Sequence, residues 1–238
     1  MKKRNWILKV FSLGVGLAIG CILIAKVCFE SAYDNFYQDI DRIYKIMTGY
    51  STQGDIGDYQ QVSGAVAPGF KQYLKEHNPM MFNDLVLSQP QMVMVCRSFA
   101  EKIGGIDKAV GQVIYNEDAS GLKFTVGGVY EDFPENGSLD YDVLLSMESY
   151  NKWSRENWLG NDRYQGYVKL EEGIDPSSLT AAIRSMQEKN QPLEELEKNG
   201  SKIWYFLSAF DKLHTSEPQV RNMIVILSIV SLVLLLIS

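Results

Sequence analysis

Cysteine and histidine are scarce in this chain: its 238 residues include three cysteines and two histidines. An exported domain that depends on disulfides carries an even set of cysteines at regular spacing. Here Cys21 and Cys28 lie in or beside an apolar stretch, and Cys96 stands alone in the middle of the chain. His77 and His214 have no cysteine or histidine at metal-ligand spacing. The sequence therefore predicts a fold held by packing, with no metal site.

Clustered basic residues are absent beyond Lys2, Lys3 and Arg4, and the formal net charge is −6. This balance argues against nucleic acid as a partner. The phosphate-binding sequence G-x-x-x-x-G-K-[ST] is absent as well, so the chain cannot cradle a nucleotide in the P-loop manner. Any ATP must be handled by another subunit.

Pairs of side chains that could perform catalysis are also missing. Neither histidine has a serine or cysteine nucleophile, or an HExxH-like neighbour, at a telling spacing. The acidic pairs Glu131-Asp132 and Glu194-Glu195 fall in a turn and in a polar helix, where solvated carboxylates are expected. We predict no catalytic residue, no bound cofactor and no enzymatic activity.

A long apolar run near the amino terminus dominates what is present. Val10 to Ala25 contains no charge and no proline, and flanking residues extend the run to the ~20 residues that cross a bilayer. A cleaved signal peptide is the alternative, but no A-x-A-like exit follows the run. Because basic residues precede the apolar run, we predict a cytoplasmic segment at 1–9 and a transmembrane helix at 10–28.

A second apolar run closes the sequence. Residues 220–238 are apolar except for Arg221 and predict a second transmembrane helix, which returns toward the cytoplasm. Within the first helix, Ser12, Gly16 and Gly20 are four residues apart, a track of small residues that lets another membrane helix approach closely. The alternative is that glycine is simply common in membrane helices.

The middle region, residues 29–219, is long enough for one substantial domain. Its pattern begins with Phe29, Tyr33, Phe36, Tyr37 and Ile40, whose spacing predicts an amphipathic stalk helix that continues the first membrane helix. Strands and helices then alternate, which indicates a mixed α+β domain. Predicted strands are Arg42–Met47, Leu85–Leu87, Met92–Val95, Val110–Tyr115, Leu122–Tyr130, Leu139–Ser146, Tyr164–Leu170 and Trp204–Phe210; predicted helices are Val66–Glu76, Ser98–Ile103 and Pro176–Met186.

Two local signals refine this pattern. Gly127-Gly128 within the longest strand indicates a bulge or a close approach of backbone. Asp175 followed by Pro176 is typical of a helix start. The polar, glycine-bearing stretch from Gly49 to Gly57 is predicted to be a loop.

Several motifs, taken in order, resemble one family. The run Asp41–Lys45 after an outgoing membrane helix resembles the start of the extracytoplasmic core domain in MacB/FtsX-like ABC transporter permeases, particularly Bacteroidetes-type members. The same resemblance extends to Ser98–Gly104, Ala109–Gln112, Thr125–Ser138 and Leu207–His214 before the final apolar run.

This resemblance implies a MacB-like periplasmic core domain between two transmembrane helices, in a multi-pass protein of the inner membrane. It implies a separate ABC ATPase subunit as partner, another permease chain or a second copy, and contact with membrane lipid. The first helix and the stalk bearing Tyr33, Phe36 and Tyr37 would then relay motion between the ATPase and the periplasmic domain, which is mechanotransmission, in efflux or export.

Two features depart from the family pattern. Family permeases continue beyond the second helix with at least two more membrane helices, and the stretch between Pro79 and Gln91 is short. We therefore expect an amino-terminal piece, a split permease half or a degenerate copy. The alternative function is a stand-alone, membrane-tethered periplasmic sensor or scaffold, and a tethered hydrolase is poorly supported because no nucleophile and base are recognisable.

Overall fold

The computed structural model describes residues 2–74, 86–116, 122–160 and 163–237. These residues form the mixed α+β fold that the sequence predicts. The helices are α1 (Lys2–Ser31), α2 (Val66–Tyr73), α3 (Arg97–Lys102), α4 (Ile106–Ala109), α5 (Lys152–Glu156), α6 (Thr180–Asn190), α7 (Leu193–Lys198), α8 (Phe210–Ser216) and α9 (Pro218–Ile237). The strands are β1 (Ile43–Thr52), β2 (Asp55–Tyr59), β3 (Met92–Cys96), β4 (Val113–Asn116), β5 (Leu122–Tyr130), β6 (Val143–Leu145), β7 (Gly166–Lys169) and β8 (Ser201–Ala209).

The chain divides into two compact units. The first comprises Met1–Ile40, Glu135–Ser138 and Asp211–Ser238, and the second comprises Asp41–Pro134 and Leu139–Phe210. In the first unit, Lys9–Ser31 and Pro218–Ile237 are long and apolar enough to cross a membrane. Most of their large apolar side chains are exposed. Lipid is a favourable environment for helices with such surfaces. That the two helices cross a bilayer stays a prediction.

The predicted stalk helix is wrong beyond Ser31, where α1 ends. Residues 32–39 form turns instead, and both Asp34 and Asp39 have left-handed backbone conformations, with φ of 64° and 57°. Aspartate tolerates this conformation because its short polar side chain can hydrogen-bond locally. The apolar spacing from Phe29 to Ile40 therefore does not belong to one continuous helix.

The first sheet of the second unit is built around β1. β8 pairs antiparallel with one edge of β1, from Tyr44↔Ala209 to Thr52↔Ser201. β7 and β2 share the other edge, again antiparallel. The predicted loop from Gly49 to Gly57 is wrong, because β1 and β2 form a hairpin whose two-residue turn, Gln53-Gly54, has positive φ at both positions. Such a turn matches the twist of the strands.

Helices α2 and α6 contact each other and contribute buried side chains to one core with this sheet. Full burial of each large side chain contributes roughly 1.5–3 kcal/mol, so this cluster is a large source of hydrophobic stabilisation in the second unit. Its buried members are Ile46, Val62, Val66, Phe70, Leu74, Val168, Leu170, Leu179, Ile183, Met186 and Tyr205.

The second sheet has the strand order β4-β5-β3-β6 and packs a smaller core of its own. β3 and β5 run parallel, and their register jumps from Val93↔Val126 to Met94↔Gly128. Gly127 is the extra residue, which confirms the predicted bulge. A Cβ at Gly127 would lie 2.4 Å from Cγ1 of Val86, so this position has no room for a side chain. Residues 86–88 form a turn, so the strand predicted at 85–87 is wrong there, and Leu85 lies outside the described residues.

Candidate functional site

The helices α1 and α9 pack against each other in antiparallel fashion along one stripe of small and apolar side chains. On α1 the less exposed positions are Gly16, Gly20, Leu23 and Val27, which alternate four and three residues apart. This spacing is that of a coiled-coil seam. On α9, Ser231 is buried, and its carbonyl oxygen lies 3.8 Å from the position that a Cβ on Gly20 would occupy.

Two of the three small residues singled out in the sequence, Gly16 and Gly20, belong to this stripe, whereas Ser12 is exposed. Gly20 is buried, and its virtual Cβ would lie 3.5 Å from Cδ2 of Leu235. Gly16 and Ser12 line a groove of about 500 Å³ together with Leu234 and Ile237 of α9. The Ser12 hydroxyl donates to the Lys9 carbonyl oxygen of its own helix, at 3.1 Å. That these residues drive helix association stays a prediction.

A buried carboxylate lies at the carboxyl end of α1. Glu30 is 6% exposed, forms an ion pair with Lys26, and lies 2.5 Å from Nε2 of His214 in α8. An acidic side chain in the last turn of a helix is disfavoured by the helix dipole, so partners of this kind are needed to hold it. The Tyr33 ring stacks on the His214 ring, with centroids 3.6 Å apart and planes 12° from parallel.

Immediately after α1, a second buried carboxylate binds a distant loop. Asp34 is 1% exposed and accepts hydrogen bonds from the backbone N–H and the hydroxyl of Ser138, at 2.6 and 2.5 Å. The Asp34 N–H donates to the Asn136 carbonyl oxygen at 2.9 Å. In return, the Asn136 side-chain amide donates to the Ala32 carbonyl oxygen at 3.1 Å.

These contacts bring together three segments that are far apart in the sequence. Asp34 and Ser138 are 104 residues apart, and Glu30 and His214 are 184 apart. Hydrogen bonds to ionised groups are shorter and stronger than neutral ones and are specific in direction. The cluster can therefore hold the end of α1 in one defined geometry. We call it the joint, and it consists of Glu30, Tyr33, Asp34, Asn136, Ser138 and His214.

The joint includes only one of the three aromatic residues assigned to the stalk. Tyr33 stacks in it, whereas Phe36 and Tyr37 form a pair of their own, with ring centroids 4.3 Å apart. Sequence reasoning missed Glu30, Asp34 and their partners. An available signal was the acidic residue at the end of an apolar helix, which opposes the helix dipole and so predicts a bonded partner.

Several other titratable side chains of the second unit have bonded partners or are buried. Arg97 forms a two-pronged ion pair with Glu131, with N–O distances of 2.9 and 2.6 Å. The backbone N–H of Ser98 donates to Asp132, which lowers the pKa of that carboxyl. Burial raises the pKa of the Cys96 thiol, so it is protonated at neutral pH and a poor nucleophile.

His214, the histidine that the structure describes, belongs to no metal centre among the described residues. Groups of three or more histidine, cysteine or acidic side chains that could hold a metal ion do not occur among those residues. His214 belongs to the joint, and His77 lies outside the described residues. The chemistry that the joint supports is therefore the fixing of chain segments to one another.

Comparison with known proteins gives a consistent result. The sequence model of the MacB-like periplasmic core domain matches residues 31–186, which confirms the resemblance seen in the motifs. The crystal structure of a domain assigned to a permease protein from Porphyromonas gingivalis is similar, with 28% identity and a TM-score of 0.63. That likeness covers 80% of this chain and 98% of the other.

A weaker likeness links the chain to the periplasmic region of MacB from Actinobacillus actinomycetemcomitans. It has 14% identity and a TM-score of 0.32, and it covers 73% of this chain and 74% of the other. At that TM-score the likeness carries no weight. Among curated proteins, none matches the chain significantly.

Proposed function

Because the chain belongs to the family of MacB-like periplasmic core domains, we propose that it is a membrane-anchored, permease-type subunit of an ABC transporter. In this proposal a separate ATPase acts on the cytoplasmic side, and the chain couples the ATPase cycle to the domain outside the membrane. The likeness to a domain assigned to a permease protein supports the same assignment.

The proposed topology places α1 and α9 across the inner membrane and the second unit in the periplasm. Lys2, Lys3 and Arg4 precede α1, and positive charge next to a membrane helix favours the cytoplasmic side. Exposed apolar side chains along both helices support contact with lipid. Because the helices pair in antiparallel fashion, one crossing leads outward and the other returns.

The observation that carries the proposal is the joint. A coupling subunit needs a segment that moves with the membrane helix and is tied to the outer domain. Asp34 follows α1 directly, and its two hydrogen bonds hold Ser138. Ser138 belongs to the first unit and is part of the connection between β5 and β6, so in this proposal a displacement at the end of α1 would pass to the second sheet along the covalent chain. Two arrangements of such an element, biased by the ATPase, would constitute the switch.

The first test is recovery of the ATPase. The full chain, carrying an affinity tag, is purified from native membranes in several mild detergents, and bound proteins are identified by mass spectrometry. We expect a P-loop ATPase to co-purify. Recovery of periplasmic proteins without any ATPase would contradict the proposal and favour a tethered sensor or scaffold.

A second test addresses coupling itself. Hydrogen exchange of residues 133–140 is compared between the ATP-bound and ADP-bound complex. We expect a nucleotide-dependent difference in the parent chain that is lost in Asp34→Ala, with the ATPase still bound. Asp175→Ala is the matched control, because Asp175 makes the same pair of bonds to Ser177, N–H at 2.9 Å and hydroxyl at 2.6 Å, outside the joint. A difference that persists in Asp34→Ala would refute the role of the joint.

A further inference from the structure

A groove of about 590 Å³ lies between α5 and the carboxyl end of α6, within the second unit. Nothing in the proposed coupling function uses it. Two of its lining side chains are indoles, and most of the others carry amide or charged groups. The lining residues are Lys152, Trp153, Glu156, Asn157, Trp158, Leu159 and Asn190.

One wall of the groove is a solvent-facing indole on an anchored helix. Trp153 is 67% exposed although it belongs to a short helix that is firmly held. The Asn151 side chain accepts a hydrogen bond from the Ser154 N–H at 2.8 Å and caps α5. Arg155 forms an ion pair with Glu148 at 2.7 Å and donates to the Tyr150 carbonyl oxygen at 3.1 Å. The exposed position of this large apolar ring is therefore built into the fold.

The second indole, that of Trp158, packs against α2. The Trp158 ring lies directly over Gly69, where a Cβ would be 2.2 Å from Cη2, and it meets the Tyr73 ring edge-on. Its carbonyl oxygen accepts a hydrogen bond from Gln191 at 2.8 Å. A ligand would find this surface already in place, and such preorganisation reduces the entropic cost of binding.

Two side-chain amides in the groove are also oriented. Asn157 accepts a hydrogen bond from the Leu159 N–H at 3.0 Å. Asn190 accepts from the Tyr73 hydroxyl at 3.3 Å and donates to the Met186 carbonyl oxygen at 2.8 Å. An amide side chain has two N–H donors and two lone pairs, so each of these groups keeps donor and acceptor capacity for a ligand.

The charge in the groove is balanced. Lys152 and Glu156 form an ion pair at 3.8 Å one helical turn apart. The pair leaves no net charge that would select an anion or a cation. The complementary ligand is therefore neutral, with an apolar face for the indole and amide groups for the asparagines.

From this chemistry we propose that the groove binds a saccharide chain containing N-acetylated hexosamines. The C–H face of a pyranose ring is flat and apolar and stacks on Trp153. An acetamido substituent carries one N–H and one C=O, which pair with the free capacity of Asn157 or Asn190. Hydroxyl groups of the sugar face Lys152 and Glu156. The proposal does not depend on the coupling function.

The experiment is isothermal titration calorimetry on the full chain in a zwitterionic detergent, because detergents with sugar headgroups would compete. The probes are the β-1,4-linked tetramer of N-acetylglucosamine and cellotetraose, the β-1,4-linked glucose tetramer, which lacks acetamido groups. We expect saturable binding of the first probe and much weaker binding of the second. Trp153→Ala lowers the affinity roughly fivefold to tenfold, and Trp153→Phe lowers it less. Tyr115→Ala removes another exposed aromatic, at 64%, and leaves the affinity unchanged.

Three outcomes would overturn the proposal. Absence of binding by both probes rejects the saccharide site, and equal binding of the two rejects the role of the acetamido group. Undiminished binding by Trp153→Ala, with an unchanged circular dichroism spectrum, rejects the stacking platform. If calorimetry shows no binding of either saccharide and a photo-crosslinker at position 153 captures a polypeptide, the groove would instead be assigned to protein docking.

Discussion

Asp34 combines an unusual backbone conformation with two short hydrogen bonds from a buried position. Asp34→Ala removes both acceptors and places alanine in a left-handed conformation that it disfavours. We expect the Ser138 N–H to exchange with solvent about thirtyfold faster, which corresponds to roughly 2 kcal/mol of local stability. Hydrogen exchange followed by mass spectrometry measures this. Asp34→Asn keeps one acceptor and tolerates the conformation, so equal effects of the two substitutions would contradict this account.

Lys45 is a buried cation in the first sheet. It is 4% exposed and donates hydrogen bonds to the side-chain oxygens of Gln60 and Gln165, at 2.5 and 3.0 Å. Carboxylates do not pair with it among the described residues. Burial therefore disfavours the charged form and lowers the pKa of Lys45 below its ordinary value.

This burial predicts how stability changes in alkaline solution. The relevant pH range lies between the lowered pKa of Lys45 in the folded state and about 10.4, the ordinary pKa of a lysine in the unfolded chain. In this range the unfolded chain binds the proton more strongly, so the free energy of unfolding rises with pH. We expect the melting temperature of the parent chain to rise relative to that of Lys45→Met between pH 7.5 and pH 10. The loss of hydrogen bonds in Lys45→Met is the same at every pH. Parallel curves for the two proteins would contradict the prediction.

Among the elements, the pairing of α1 and α9 is the most direct to test. Gly16→Leu with Gly20→Leu places bulky side chains where Gly20 faces Leu235. We expect disulfide crosslinking between Leu13→Cys and Leu234→Cys, in a chain whose native cysteines are serine, to fall roughly fivefold. Gly14→Leu is the matched control, since nothing lies within 4 Å of a Cβ there. A double variant that crosslinks as well as the control would reject the packing stripe.

Elements with strong local signals could be predicted from the sequence. β5 was predicted with its observed bounds, and the carboxylate of Asp175 caps the following turn as expected, accepting from the Ser177 N–H. The Gln53-Gly54 hairpin was missed, because β-strands with polar residues have the composition of a loop. The stalk was wrong since apolar spacing alone does not reveal the positive φ of Asp34 and Asp39.

The joint could not be predicted for a different reason. Each of its bonds links segments more than a hundred residues apart, and periodicity within one segment contains no information about such a partner. Asn136 and Ser138 look like ordinary turn residues in sequence, and only the fold brings them to Asp34. The small-residue track on α1 was visible because its spacing is local.

The proposed topology makes the second unit accessible from one side of the membrane. We expect protease added to spheroplasts to cut the second unit, while a tag before Lys2 is protected until the cells are lysed. The physical reason is the positive charge that precedes α1. A second unit that survives in spheroplasts and is cut only after lysis would reverse the orientation and remove the basis for coupling.

The antiparallel pairing of β1 with β8 has a mechanical consequence. Tyr44, near the start of β1, is opposite Ala209, the last residue of β8, so the chain enters and leaves this ladder at the same end. Tension that draws the entering and leaving segments apart would break the backbone hydrogen bonds between β1 and β8 one after another, starting from that end. A push or pull applied to both segments together would move the strand pair as a single body and leave its hydrogen bonds intact.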